Sequence, residues 1–164
     1  MSVNTIQKLM TDELKDLYSA ETQITKALPK LAKASSSQDL KSAFESHLEE
    51  TRTQIERLEK IFKILEISPK GKTCEGMKGV LKEGSEVLEE TEAGAVRDAA
   101  MISAAQRVEH YEMAGYGAVR TYAQLLGQDK IVTLLQETLE EEKSADSKLT
   151  KIAKSVNSEA LRAA

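Results

Sequence analysis

Four stretches of this chain repeat apolar residues at spacings of three and four for two dozen residues or more. That is the period of a helix with one buried face, and sustained four times it leaves little choice of fold. Helix 1 is expected over Asn4–Ala34, with the stripe Ile6, Met10, Leu14, Leu17, Glu21, Ile24, Leu28, Leu31. Pro29 marks a point where it bends or its first segment ends. SSSQ at 35–38 breaks the pattern and offers Ser37 as an N-cap. Helix 2 is expected over Gln38–Leu65, with the stripe Leu40, Ala43, His47, Glu50 or Thr51, Gln54, Leu58, Ile61, Leu65. ISPKGKT at 67–73 is a loop by its Pro and Gly. Residues 74–91 make a weaker helix, interrupted by Gly76, Gly79 and Gly84, that reads as a crossover. Helix 4 covers Ala95–Leu126 and stops at Gly127, with the stripe Ile102, Ala105, Glu109, Glu112, Tyr116, Val119, Ala123, Leu126. Helix 5 covers Asp129–Ser155, with the stripe Ile131, Leu135, Thr138, Glu142, Ala145, Leu149, Ala153, Val156, and residues 154–164 are expected to fray. No strand-like alternation competes. The pattern predicts an all-α four-helix bundle in one domain, with a short crossover helix between two helical hairpins.

Composition narrows the class of protein. At 164 residues the chain suits one core, and 40% apolar with 30% charged residues is an ordinary globular balance. A net charge of −4 with both signs interspersed does not favour nucleic acid as a partner. No apolar run approaches the ~20 residues that span a bilayer, so no membrane partner is expected. MSVNTIQKLM lacks the charged start and apolar core of a signal peptide, and the single cysteine, Cys74, has no internal partner. Together these predict a cytoplasmic protein.

The stripes carry a second message. Each is apolar at both ends and interrupted near its middle by acid, amide or imidazole: Glu21 on helix 1; His47, Glu50 and Gln54 on helix 2; Glu109 and Glu112 on helix 4; Glu142 and Asp146 on helix 5. An approximate two-fold repeat relates them. Tyr18 and Glu21 match Glu109 and Glu112, and Glu50 and Gln54 match Glu142 and Asp146. His110 stands about 100° from Glu109 around the helix and belongs at a seam. Taken singly, a glutamate on a stripe is an ordinary boundary residue, and His47 an ordinary core or rim histidine. Tyr18, Tyr111, Tyr116 and Tyr122 read as packing residues whose hydroxyls find partners. LEEEK at 139–143 reads as a solvated face in which only Glu142 matters. Coincidence on four stripes is another matter. Each isolated buried charge costs several kcal/mol, and neighbouring carboxylates repel. Hard divalent cations neutralise such a cluster directly; protonation with hydrogen bonds among the acids is a second solution, and core Lys or Arg a third for which the stripes supply few residues. Arg120 only flanks the helix 4 stripe, and Arg57 and Lys143 lie to the side.

Four segments, DLYSAETQITKALPKLA, FESHLEETRTQIERLE, VRDAAMISAAQRVEHYEMAGYG and LLQETLEEEKSADSKL, resemble the YciE/YciF family of bacterial stress proteins across nearly the whole chain. The resemblance implies a ferritin-like fold, a di-metal site similar to that of rubrerythrin, and a cytoplasmic homodimer. Carried over, Glu21 and Glu50 take the first two places, Glu109 and Glu112 the Glu-x-x-Glu arrangement, and Glu142 the last. On this reading Glu50 and Glu142 bridge two ions while the others cap. The wider pattern has Glu-x-x-His on two helices. Here Thr53 and Ala145 stand three residues after Glu50 and Glu142, so His47, Gln54 and Asp146 are the substitute ligands. Such an oxygen-rich set suits two divalent ions, Fe or Mn first and Mg or Ca next, over Zn or Cu. Two functions stay open: peroxide or Fe(II) oxidation chemistry, with Tyr18 or Tyr111 donating to bound oxygen, and a non-enzymatic stress protein with a structural or vestigial metal site.

Overall fold

The computed structural model describes residues 3–163, and it is all-α. Its helices are α1 (Ile6–Ala34), α2 (Gln38–Ile64), α3 (Glu75–Glu90), α4 (Ala95–Leu125) and α5 (Asp129–Arg162). Local chemistry sets the ends. The Thr5 hydroxyl caps α1 by accepting from Lys8 N, and Ser37 caps α2 by accepting from Leu40 N, as its position predicts. Gly127, at φ +67°, takes the left-handed conformation that ends α4. Helix α1 reaches Ala34 as expected and keeps the exposed Pro29 inside it, so its first segment does not end there. Two expectations are corrected. The glycines of α3 do not interrupt it, since its packing on α1 and α4 outweighs about 1 kcal/mol per glycine. Helix α5 extends to Arg162 rather than stopping at Ser155, because Val156 is buried and anchors the last turns.

The helices pair as two hairpins, α1 with α2 and α4 with α5, and contacts between α2 and α5 and between α1 and α4 close the bundle. Helix α3 lies outside, against α1 and α4. It carries the chain the length of the bundle, so α4 begins beside the α1–α2 turn. There Asp98 is buried in the first turn of α4 and accepts from the backbone N–H groups of Ser36 (2.9 Å) and Ser37 (2.6 Å). Neighbouring helices are therefore antiparallel all round, the arrangement of a ferritin-like bundle with one long crossover. Asp98→Ala would leave two backbone donors without their acceptor, and its expected cost is about 2 kcal/mol. Denaturant unfolding reads this as a lower midpoint at unchanged slope; an unchanged midpoint would remove Asp98 as the tie between the hairpins.

The interior is divided in two. One apolar cluster includes Ile24, Leu28, Leu40, Phe44, Met101, Ile102 and Leu149, and the other Met10, Leu14, Leu17, Leu58, Phe62, Val119 and Leu135. Between them runs a polar layer of Glu21, His47, Thr51, Gln54, Glu109, Glu112, Thr138 and Glu142, all buried. Long helices hold that layer away from both ends of the bundle.

A candidate metal centre in the polar layer

Residues on α2, α4 and α5 meet at the centre of the layer. One ligand atom from each of His47, Glu109, Glu112 and Glu142 lies within 4.8 Å of the other three. The His47 ring links the group: Nε2 is 3.2 Å from Glu109 and 3.9 Å from Glu142. From α1, Glu21 joins Glu112 and accepts a short hydrogen bond from the Tyr116 hydroxyl through Oε1. Glu21, Glu112 and Glu142 are 0% exposed and Glu109 is 2% exposed.

Their electrostatics are adverse. Burial pushes the Glu21 carboxyl well above the usual range and repulsion from Glu142 adds to it, against the hydrogen bond from Tyr116 and the close approach of Glu112. Burial raises Glu112 likewise, and Glu21, Glu142 and Glu109 all repel it. Glu109 is raised first by burial and next by its contact with Glu142. Burial beside Glu21 also lifts the Tyr116 phenol, so it stays a donor. Among the described residues no Lys or Arg forms an ion pair with these four glutamates. Arg57 is committed elsewhere, as a fork onto Glu141 with both N–O distances at 2.6 Å. Lys143 pairs with Glu140.

The clearest mark is what remains without a partner. Both oxygens of Glu112 and of Glu142, Oε2 of Glu21 and of Glu109, and Nε2 of His47 are buried with no hydrogen bond. Buried polar atoms are nearly always partnered, so seven orphans on five neighbouring residues require an explanation. A hard divalent cation fits: six carboxylate oxygens and one imidazole nitrogen form an oxygen-rich donor set. Glu21, Glu109, Glu112 and Glu142 can present four negative charges, which two divalent cations balance.

The other expected site residues, Glu50 included, are not among the converging four. Thr51 takes the buried place on α2, and the Glu50 carboxylate stands outside His47, 3.3 Å from Nδ1 and 43% exposed. Gln54 is buried, but its amide donates to Glu141 and its Oε1 is without a partner. Asp146 accepts from Gln106 Nε2 and lies 3.3 Å from His110, at the α4–α5 seam. His110 is exposed there, as its angular offset predicts. Tyr18 and Tyr111 do not face the layer. Tyr18 donates to Glu59, and Tyr111 donates to Asp16 beside Cys74. The tyrosine at the cluster is Tyr116, one helical turn after Glu112 on the same stripe, which is the signal that would have found it. The Arg57–Glu141 fork left no such signal, because its partners are on different helices.

Comparisons with known proteins agree with this architecture. The family described as Domain of unknown function (DUF892) matches residues 5–162. Protein YciF of Escherichia coli (strain K12) is 49% identical over 154 residues, 93% of each chain. The crystal structure of the E. coli stress protein YciF superposes with a TM-score of 0.92 at 48% identity, covering 95% of this chain and 99% of that one. YcfI from Rhodopseudomonas palustris superposes with a TM-score of 0.87 at 45% identity, covering 91% and 95%. A protein of Xanthomonas campestris pv. campestris, 18% identical with a TM-score of 0.76, shares the fold. The chain belongs to the DUF892 family, the family of the stress protein YciF, and places a buried His/Glu cluster in its ferritin-like bundle.

Proposed function

We propose that Glu21, Glu109, Glu112, Glu142 and His47 hold two divalent cations, Fe or Mn, and that the protein serves the stress response through them. The observation that carries this is the set of orphaned buried oxygens, since among the described residues no Lys or Arg and no hydrogen bond meets them. The protein supplies an oxygen-rich cage, a Tyr116 donor that fixes one oxygen of Glu21, and dry apolar layers on both sides. With iron bound, such a centre would supply the two electrons, and solvent the two protons, that reduce hydrogen peroxide to two waters. The homodimer and the cytoplasmic setting implied by the resemblance belong to the same proposal; a sedimentation mass of one chain would remove the first.

The test is metal content after loading with Fe(II) and with Mn(II). Wild-type protein is expected to retain metal through desalting, and a Glu109→Ala/Glu142→Ala double variant to retain little. Equal content in the two would sink the metal centre. Loaded protein that oxidises no Fe(II) and consumes no peroxide above buffer would leave a structural metal site, the non-enzymatic reading.

A further inference from the structure

His47 separates two environments. Its Nε2 faces Glu109 and Glu142 in the buried layer, and its Nδ1 faces the half-exposed Glu50. A pocket of about 60 Å³ lies between α2 and α5 and is lined by His47 and Glu109, with Glu50 and Lys148 also lining it and Ala145 on the α5 side. Three other approaches carry close contacts among the described residues. At the α1–α4 contact a Cβ on Gly115 would come within 2.8 Å of Leu17, so the helices touch there. Further along α2 and α5 the Arg57–Glu141 fork covers Gln54. At the α4–α5 seam Gln106 bonds to Asp146 and Thr150.

We propose that divalent cations reach the polar layer through the α2–α5 pocket, received by Glu50 at its mouth and passed inward past the His47 ring. This rests on the reading that the layer holds cations. The pocket is narrow, about 60 Å³, so a hydrated cation entering it gives up part of its water to the lining residues. Glu50, His47 and then Glu109 replace that water in order along the path. Two successive carboxylates also explain an acid outside the converging four that still contacts its histidine. Lys148 works against the traffic, because its ammonium is exposed at the same mouth and repels a cation.

Uptake of Mn(II) by metal-free full-length protein, followed after rapid mixing through loss of the aqueous Mn(II) electron paramagnetic resonance signal, tests the route. Glu50→Gln and Ala145→Leu are expected to slow uptake about tenfold, and Lys148→Met to speed it severalfold, in line with electrostatic effects on association. Final Mn(II) per chain is expected to match wild type in all three. Glu50 and Lys148 are solvent-facing, so those two variants carry the test if Ala145→Leu fails to fold. Equal rates in all variants would overturn the route and leave the metal centre standing. A lowered final content in Glu50→Gln would make Glu50 a resident ligand and overturn the relay. No uptake by wild type would overturn the centre itself.

Discussion

Glu112→Gln is expected to stabilise the metal-free protein by about 3 kcal/mol at pH 8 while removing most of its capacity for metal. Glu112 is 0% exposed, both its oxygens lack partners, and Glu21, Glu109 and Glu142 all repel its charge. An uncompensated charge in that position is among the costliest single groups a core can hold. The amide has the same shape, carries no charge and can donate to the neighbouring carboxylates. For a chain of 164 residues the gain corresponds to a melting temperature higher by about 10 °C. A centre that needs four carboxylates to balance two cations loses one of them in the same substitution. Thermal unfolding in chelator, beside metal analysis of loaded protein, reads both effects. An ordinary structural glutamate would give the opposite outcome: a less stable variant, with no change in metal.

The metal-free protein is also expected to lose stability as pH rises from about 5 to 8. Glu21, Glu109 and Glu112 all have carboxyls raised above their ordinary values in the folded state. Below the unfolded-state value near 4.3 each is protonated in both states, and its contribution is fully present. Above it the unfolded chain releases protons that the folded chain retains, so stability falls as pH climbs towards the raised folded values. Each such group contributes a slope of up to about 1.4 kcal/mol per pH unit within that window. Metal takes the place of those protons, so affinity should rise with pH and loading should reverse the loss. A cation at a thousand times its dissociation constant stabilises by about 4 kcal/mol, again roughly 10 °C here. Melting curves at pH 5, 6, 7 and 8, with chelator and with Mn(II), give the comparison. A chelated protein that melts higher at pH 8 than at pH 5 would show that the acids are already compensated from within the chain.

The two expectations depend on different kinds of information. That Glu112 and Glu142 face inward follows from a 3.6-residue period, which one strand of sequence displays. That Glu50 does not face inward was undecidable from the same period. Glu50 and Thr51 differ by 100° at the edge of one stripe, and in the packed bundle Thr51 is buried while Glu50 stands half-exposed at the mouth. Gln54 and Asp146 show the same limit. Periodicity places them on the right faces, but Glu141 engages one and Gln106 the other, partners 87 and 40 residues away in the chain.

Sequence alone determined the all-α bundle, the crossover and the presence of inward-facing polar residues on four helices, acids on three of them, because helix period and breaker residues are local properties. It also determined that His110 stays out of the cluster, by its angle on α4. Tertiary structure decided which acids converge, that Tyr116 rather than Tyr18 or Tyr111 serves them, and that His47 divides a buried cluster from an open pocket. Those outcomes turn on distances of a few ångströms between side chains on different helices, and helix packing sets such distances through contacts that no single stretch of sequence contains.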